Sequence, residues 1–255
     1  MTASAPSSTG IPRILHQIWY QGEAQMPDKF RRFSEGWRAN HPDWSFHLWN
    51  ETTMRAFMAE NYPWFLPVYD GYPFNIQRID AVRYFILNTM GGVYVDADIE
   101  NLKPIDTVVD GCSLMLSRTL GYNNAIVGSR PGHALWPVIF DGLQAHHARP
   151  QHRVLDFLID ADALFVATST GPRLFTGSVQ KSGVEKDPDT RICPFWYFEP
   201  GTPAEIDGKI AIDPDTSRSY GIHHMSQTWV SPWRRGIDAA ARPLMALARR
   251  FAAPR

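Results

Sequence analysis

Apolar and polar positions along the first hundred residues switch between two periods. Ile14-Leu-His-Gln-Ile-Trp-Tyr20 is a β-prone run entered through Pro12 and broken at Gly22, so it predicts a strand. Behind Pro27-Asp28, Phe30, Phe33 and Trp37 recur at helical steps until Asn40-His41-Pro42 stops them. Trp44-Ser-Phe-His-Leu-Trp49 alternates, which puts Trp44, Phe46 and Leu48 on one face of a second strand. Asn50 can cap a following helix that buries Met54 and Phe57. Ile79, Val82, Ile86 and Met90 then form one helical stripe, ended by Gly91-Gly92. Val93-Tyr-Val-Asp-Ala-Asp98 predicts a strand with Tyr94, Asp96 and Asp98 on one face. Alternating strands and helices of this kind predict an α/β fold with a mostly parallel sheet.

Charged residues interrupt this pattern in two places. Arg83 falls within the apolar stripe and Asp80 at its edge, three residues apart, close enough to pair. Such a pair on a core-seeking face needs specific partners to offset its desolvation. Asp96 and Asp98 end a strand, where open α/β sheets bind ligands, and hard cations such as Mn²⁺ or Mg²⁺ prefer carboxylate oxygens. A lone Asp-x-Asp is more often a solvated turn. Joined to Gly-Gly, a tyrosine on the same face and the Asp80/Arg83 pair, it points to a site.

The run from Asp80 to Asp98 resembles the sugar-binding region of the DxD-containing glycosyltransferases of family 32, related to the yeast initiating α-1,6-mannosyltransferase. It is more distantly similar to the glucosylating domains of clostridial toxins. Asp80, Arg83, Tyr84, Gly91, Gly92, Tyr94, Asp96 and Asp98 carry the resemblance, which extends less tightly from about Ile11 to Trp233. It implies a single GT-A domain, Rossmann-like, over residues 11–233. It implies a metal-dependent, retaining hexosyltransferase that moves galactose, mannose or glucose from a UDP- or GDP-sugar to a glycan or glycolipid hydroxyl. Asp96, Asp98 and His224 would hold Mn²⁺ or Mg²⁺, the last because the family places a histidine five residues before a tryptophan, here Trp229. Asp80 and Arg83 would bind the transferred sugar, Tyr94 the nucleotide, and Trp229 would face the diphosphate. Trp19 would stack on the base, although spacing alone suits a core tryptophan equally well.

Other features change this picture less. Asn123 and Asn124 offer amides to sugar hydroxyls or simply form an Asx turn. Ser113 to Ser117 predicts another strand, and residues 132–162 read as largely helical. Ala167-Thr-Ser-Thr-Gly-Pro172 predicts a helix start on the acceptor side, with a weak case for Thr170 in binding. Net charge is −1, so no global field recruits nucleic acid. Cys112 and Cys193 make no disulfide framework and suit a reducing compartment. Residues 1–10 read as a disordered lead-in, and no run reaches the roughly 20 apolar residues of a membrane span. A cytoplasmic bacterial enzyme or a shortened chain is therefore expected. From 234 to 255, Arg235, Arg242 and Arg249 line one side of an amphipathic helix; it either packs on the domain or makes weak peripheral contact with the inner face of the membrane. Two alternatives remain: a haloacid-dehalogenase-type phosphohydrolase, which also uses Asp-x-Asp, and a non-catalytic glycan-binding module.

Overall fold

The structure, a computed structural model, describes residues 10–148, 161–202, 204–206, 209–211 and 215–226. Two compact units divide the chain, 1–224 and 225–255, and the fold below is that of the first. Trp229 and the helix expected over 234–255 lie outside the described residues.

The expected alternation is present. β1 (Ile14–Ile18), α1 (Asp28–Asn40), β2 (Ser45–Trp49), α2 (Glu51–Asn61), α3 (Leu66–Gly71), α4 (Asn75–Met90) and β3 (Gly92–Val95) follow in order. Asn50 caps α2 reciprocally: its Oδ1 accepts the Thr53 amide at 3.0 Å while Thr53 Oγ1 accepts the Asn50 amide at 2.9 Å. After β4 (Ile99–Asn101) and α5 (Asp106–Val109) come β5 (Leu114–Arg118), β6 (Tyr122–Ser129), α6 (Leu135–Ala145), α7 (Ala161–Ser169) and α8 (Pro172–Ser182). β7 (Thr190–Cys193), β8 (Ala204–Ile206), β9 (Lys209–Ala211) and β10 (Gly221–His223) complete the described elements. The helix expected over 132–162 is thus α6, and 149–160 lies outside the described residues.

Six strands form the main sheet in the order β2-β1-β3-β6-β5-β7. β1 pairs in parallel with β2 and β3, and β5 with β7, while β6 runs antiparallel to both neighbours. The chain leaves β1 toward β2 on one side and returns to β3 on the other. The C-terminal ends of β1 and β3 therefore flank a topological switch point, the usual ligand crevice of an open α/β sheet.

α4 is more deeply buried than a one-sided stripe predicts. Every residue from Asp80 to Leu87 is buried, Arg83 among them. A helix apolar on nearly all sides belongs inside the molecule, so its few polar side chains must find partners there. Gly91 and Gly92 end the helix at φ 66° and 92°. A side chain on Gly92 would stand 2.5 Å from the Ile14 carbonyl oxygen, which glycine alone permits.

That glycine turn carries a pH-sensitive contact. His16 Nε2 lies 2.9 Å from the Gly91 carbonyl, and the Trp49 indole donates to His16 Nδ1 at 3.3 Å. A donor on one side and an acceptor on the other fix the neutral ring. Burial pushes the His16 pKa down to about 4, with the Gly91 bond opposing and His47 adding to the shift. A group whose folded pKa lies below its unfolded value lets the unfolded chain bind the extra proton. Stability should then fall as pH drops from 6.5 towards 4, by up to ~3 kcal/mol from this residue. Urea midpoints at pH 7.5 and 5 in the wild type and His16→Gln test this: the variant should show the shallower dependence.

Candidate active site

The site grows from α4. Arg83 Nη2 lies 2.7 Å from Asp80 Oδ1, and Nη1 lies 3.2 Å from Asp96 Oδ1 and donates to the Asn124 carbonyl at 2.8 Å. The guanidinium also sits 4.4 Å over the Tyr94 ring. One cation thus ties a helix to the end of β3 and to β6. Asp80 receives two further donors, Asn124 Nδ2 at 3.3 Å and Thr170 Oγ1 at 3.2 Å. Tyr84 closes the ring, donating to the Thr170 carbonyl at 2.9 Å while accepting from Asn124 Nδ2 at 2.9 Å. Burial pushes the Asp80 pKa up to about 6, against the pull of Arg83. For Arg83, burial opposes the charged form, but Asp96, Tyr94 and Asp80 outweigh it and the guanidinium stays charged.

The Asp-x-Asp motif is displaced from the expected strand. β3 ends at Val95, and Asp96 to Asp98 form a turn closed by the Ile99 amide on the Asp96 carbonyl at 3.0 Å. The carboxylates share a site through this turn and not through strand alternation. The Tyr94 hydroxyl donates to Asp96 Oδ1 at 2.6 Å, which with Arg83 holds that carboxylate in place. Asp96 nevertheless stays accessible, its side chain 29% exposed against 7% for Asp80.

β10 supplies the third member, and it is not the expected one. β10 pairs antiparallel with β4, setting His223 opposite Ile99, directly after the turn. His223 Nε2 lies 3.4 Å from Asp98 Oδ1, and one donor atom each from Asp96, Asp98 and His223 fall within 4.8 Å of one another. Two carboxylate oxygens and an imidazole nitrogen make a donor set that would suit a hard divalent ion such as Mn²⁺ or Mg²⁺. His224, the ligand inferred from the sequence, goes elsewhere. It pairs with Glu100 Oε2 at 2.9 Å and stacks on the Phe33 ring at 4.7 Å. His224 lies one residue past the end of β10, its amide donating to the Asp98 carbonyl at 3.1 Å, and counting back from Trp229 could not see where that strand ends.

Trp19 lies just past β1 at the switch point, half-buried, its ring 5.2 Å from Phe30. Its indole nitrogen has no hydrogen-bond partner among the described residues. Asn123 does form an Asx turn, its Oδ1 accepting the Ala125 amide at 2.7 Å, whereas Asn124 joins the Asp80 network. His223 and the buried Glu199 beside it were missed, because no spacing in the sequence sets Glu199 apart from the aromatic run before it. No helix among the described residues is long and apolar enough to cross a membrane.

Residues 27–114 match the family model for the glycosyltransferase sugar-binding region containing a DXD motif. The segment that bears Asp80, Arg83, Tyr94, Asp96 and Asp98 belongs to that family, and the sheet around it is of the GT-A type. Among relatives, the chain is 41% identical over 128 residues to inositol phosphoceramide mannosyltransferase 1 of Schizosaccharomyces pombe, covering 48% of this chain and 40% of that protein. It is 31% identical over 107 residues to the initiation-specific α-1,6-mannosyltransferase of Saccharomyces cerevisiae, covering 40% of this chain and 22% of that protein. The chain thus spans less than half the length of these two relatives. The UDP-bound glycosyltransferase domain of the YGT toxin shares the fold, with a TM-score of 0.53 over 73% of this chain and 80% of that domain at 9% identity.

Proposed function

We propose that this protein is a metal-dependent, retaining glycosyltransferase that moves a hexose from a UDP- or GDP-sugar to a hydroxyl of a glycan or glycolipid. The observation that carries the reading is the convergence of Asp96, Asp98 and His223 beside the buried Asp80–Arg83 pair, at a sheet switch point. The mannosyltransferases among the relatives favour a mannose donor, and the acceptor of the S. pombe relative, as its name describes it, favours a glycolipid. The phosphohydrolase alternative needs a carboxylate free to attack phosphorus, whereas Asp96 is tied to Tyr94 and Arg83.

Asp98 and His223 would bind the divalent ion, with Asp96 contacting it or the donor ribose. When bound, the ion neutralises negative charge gathering on the departing nucleotide diphosphate. Tyr94 and Arg83 keep Asp96 in one orientation, so little reorganisation remains at the moment of transfer. Asp80 and Arg83, which carry the resemblance to the sugar-binding region, would bind hydroxyls of the transferred hexose. The bond from the anomeric carbon to the diphosphate oxygen breaks as the acceptor oxygen bonds the same face of that carbon. The acceptor's proton passes to the departing phosphate. A panel of nucleotide-sugars with Mn²⁺, scored by nucleotide release, tests the reading: one donor should turn over slowly without acceptor and stop in EDTA. No turnover of any donor, with or without lipid or glycan acceptors, would sink it.

Trp19 supplies a separate expectation. If the indole supports the base, Trp19→Ala should weaken the nucleoside diphosphate by ~1–3 kcal/mol in calorimetry, as base stacking on an aromatic ring does. Unchanged affinity in a folded variant returns Trp19 to the core.

A further inference from the structure

Behind the candidate metal centre stands a carboxylate that faces no solvent. Glu199 is 3% exposed, and its Oε1 takes two hydrogen bonds at once. One comes from His223 Nδ1 at 3.0 Å, the other from Asn123 Nδ2. The Asn123 amide cannot be turned round without loss, because its oxygen already accepts the Ala125 amide. Its NH₂ is therefore committed to Glu199, and Glu199 Oε1 is committed to accepting a hydrogen bond from the imidazole Nδ1–H. Backbone bonds hold the same geometry from outside the side chains. The Glu199 amide donates to the Phe195 carbonyl at 2.7 Å and the His223 amide to the Phe198 carbonyl at 2.8 Å, so both residues are fixed to one turn.

We propose that Glu199 is a positioning residue for the metal centre: backed by Asn123, it holds the proton on His223 Nδ1 and orients the ring so that Nε2 is the donor offered beside Asp96 and Asp98. The inference rests on reading Asp96, Asp98 and His223 as a divalent-cation site. A metal-binding imidazole commonly passes its other N–H to a carboxylate, which fixes tautomer and ring direction, and loss of that partner lowers metal affinity 10–100-fold. Here the partner comes from the loop after β7, distant in sequence from both halves of the site. Its position is set by the aromatic turn Phe195-Trp-Tyr197 that precedes it.

Mn²⁺ titration of the full chain, read by the electron paramagnetic resonance of the free ion, tests this without any turnover. Glu199→Ala should weaken Mn²⁺ by about 10–100-fold. Glu199→Gln, whose amide oxygen can still accept from both partners, should stay within a few-fold of wild type. In a His223→Ala background, Glu199→Ala should add no further loss, because the effect acts through the ring. Equal Mn²⁺ affinity in wild type and Glu199→Ala overturns the proposal, as does a Glu199→Ala loss that persists undiminished in the His223→Ala background. Should Glu199→Ala not fold, Asn123→Ala releases the same carboxylate and should weaken Mn²⁺ in the same direction; no change there overturns it too. Asp98→Asn separates the two levels. Unchanged Mn²⁺ binding in that variant removes the metal centre and the proposal together, whereas loss in Asp98→Asn with none in Glu199→Ala removes Glu199 alone.

Discussion

Asp98→Asn should abolish donor turnover while leaving the protein folded. Asp98 lies beside His223 in the turn after β3, and its charge is central to a site of two carboxylates and one imidazole. Charge stabilisation of a leaving diphosphate at such sites is worth several kcal/mol, so a loss of about 10³-fold in kcat is expected. The amide keeps the shape of the carboxylate, and the thermal midpoint should stay close to wild type. EDTA should produce the same loss in the unmodified protein, and added Mn²⁺ should restore activity to wild type but not to the variant. Full activity in EDTA would remove the metal from the mechanism.

The second large effect is on stability. Arg83→Met should destabilise the fold by ~3–5 kcal/mol, because it strands the buried Asp80 carboxylate and releases Asp96. Methionine fills most of the volume, so the loss is of charge and hydrogen bonds more than of packing. Asp80→Asn should cost less, since burial has already pushed the Asp80 pKa up to about 6 and its protonated form is close at hand. Urea unfolding of the two variants checks both numbers. A loss under ~1 kcal/mol for Arg83→Met would mean the pairing is incidental to the fold. In whichever variant folds well, calorimetry should show intact nucleotide-sugar weakened more than the nucleoside diphosphate, if the pair binds the hexose as proposed.

The sequence was most legible where local pattern and chemistry coincide. The helix of α4, its Gly-Gly stop and the Asp80–Arg83 pairing all lie within one short stretch, and all are present as expected. The parallel β2-β1-β3 half followed from the alternation of strands and helices. Legibility failed where position depends on a distant partner. Nothing near His223 in the chain reveals that it pairs opposite Ile99, and so the neighbouring His224 was preferred. Asn124 and Thr170 likewise acquire their role only because β6 and the end of α7 close over Asp80. The motif also misled in one detail. An alternating Tyr-Val-Asp-Ala-Asp reads as continuous strand, yet the chain turns at Asp96 so that β4 can begin.

That short β4–β10 ladder has a consequence for how the protein is assembled. It joins residues 99–101 to 221–223, so about 120 residues must be synthesised and folded before His223 can reach the aspartates. A nascent chain can build the β1–β3 half early, but the imidazole arrives only after the long intervening segment has been made. Three residues a side make a weak seal, and the ladder should open far more readily than the central sheet. A cation bridging both strands would act as a clasp on that seal. Hydrogen exchange at the Ile222 and His223 amides should therefore slow on adding Mn²⁺, while exchange in β1 and β3 stays at the rate of global unfolding.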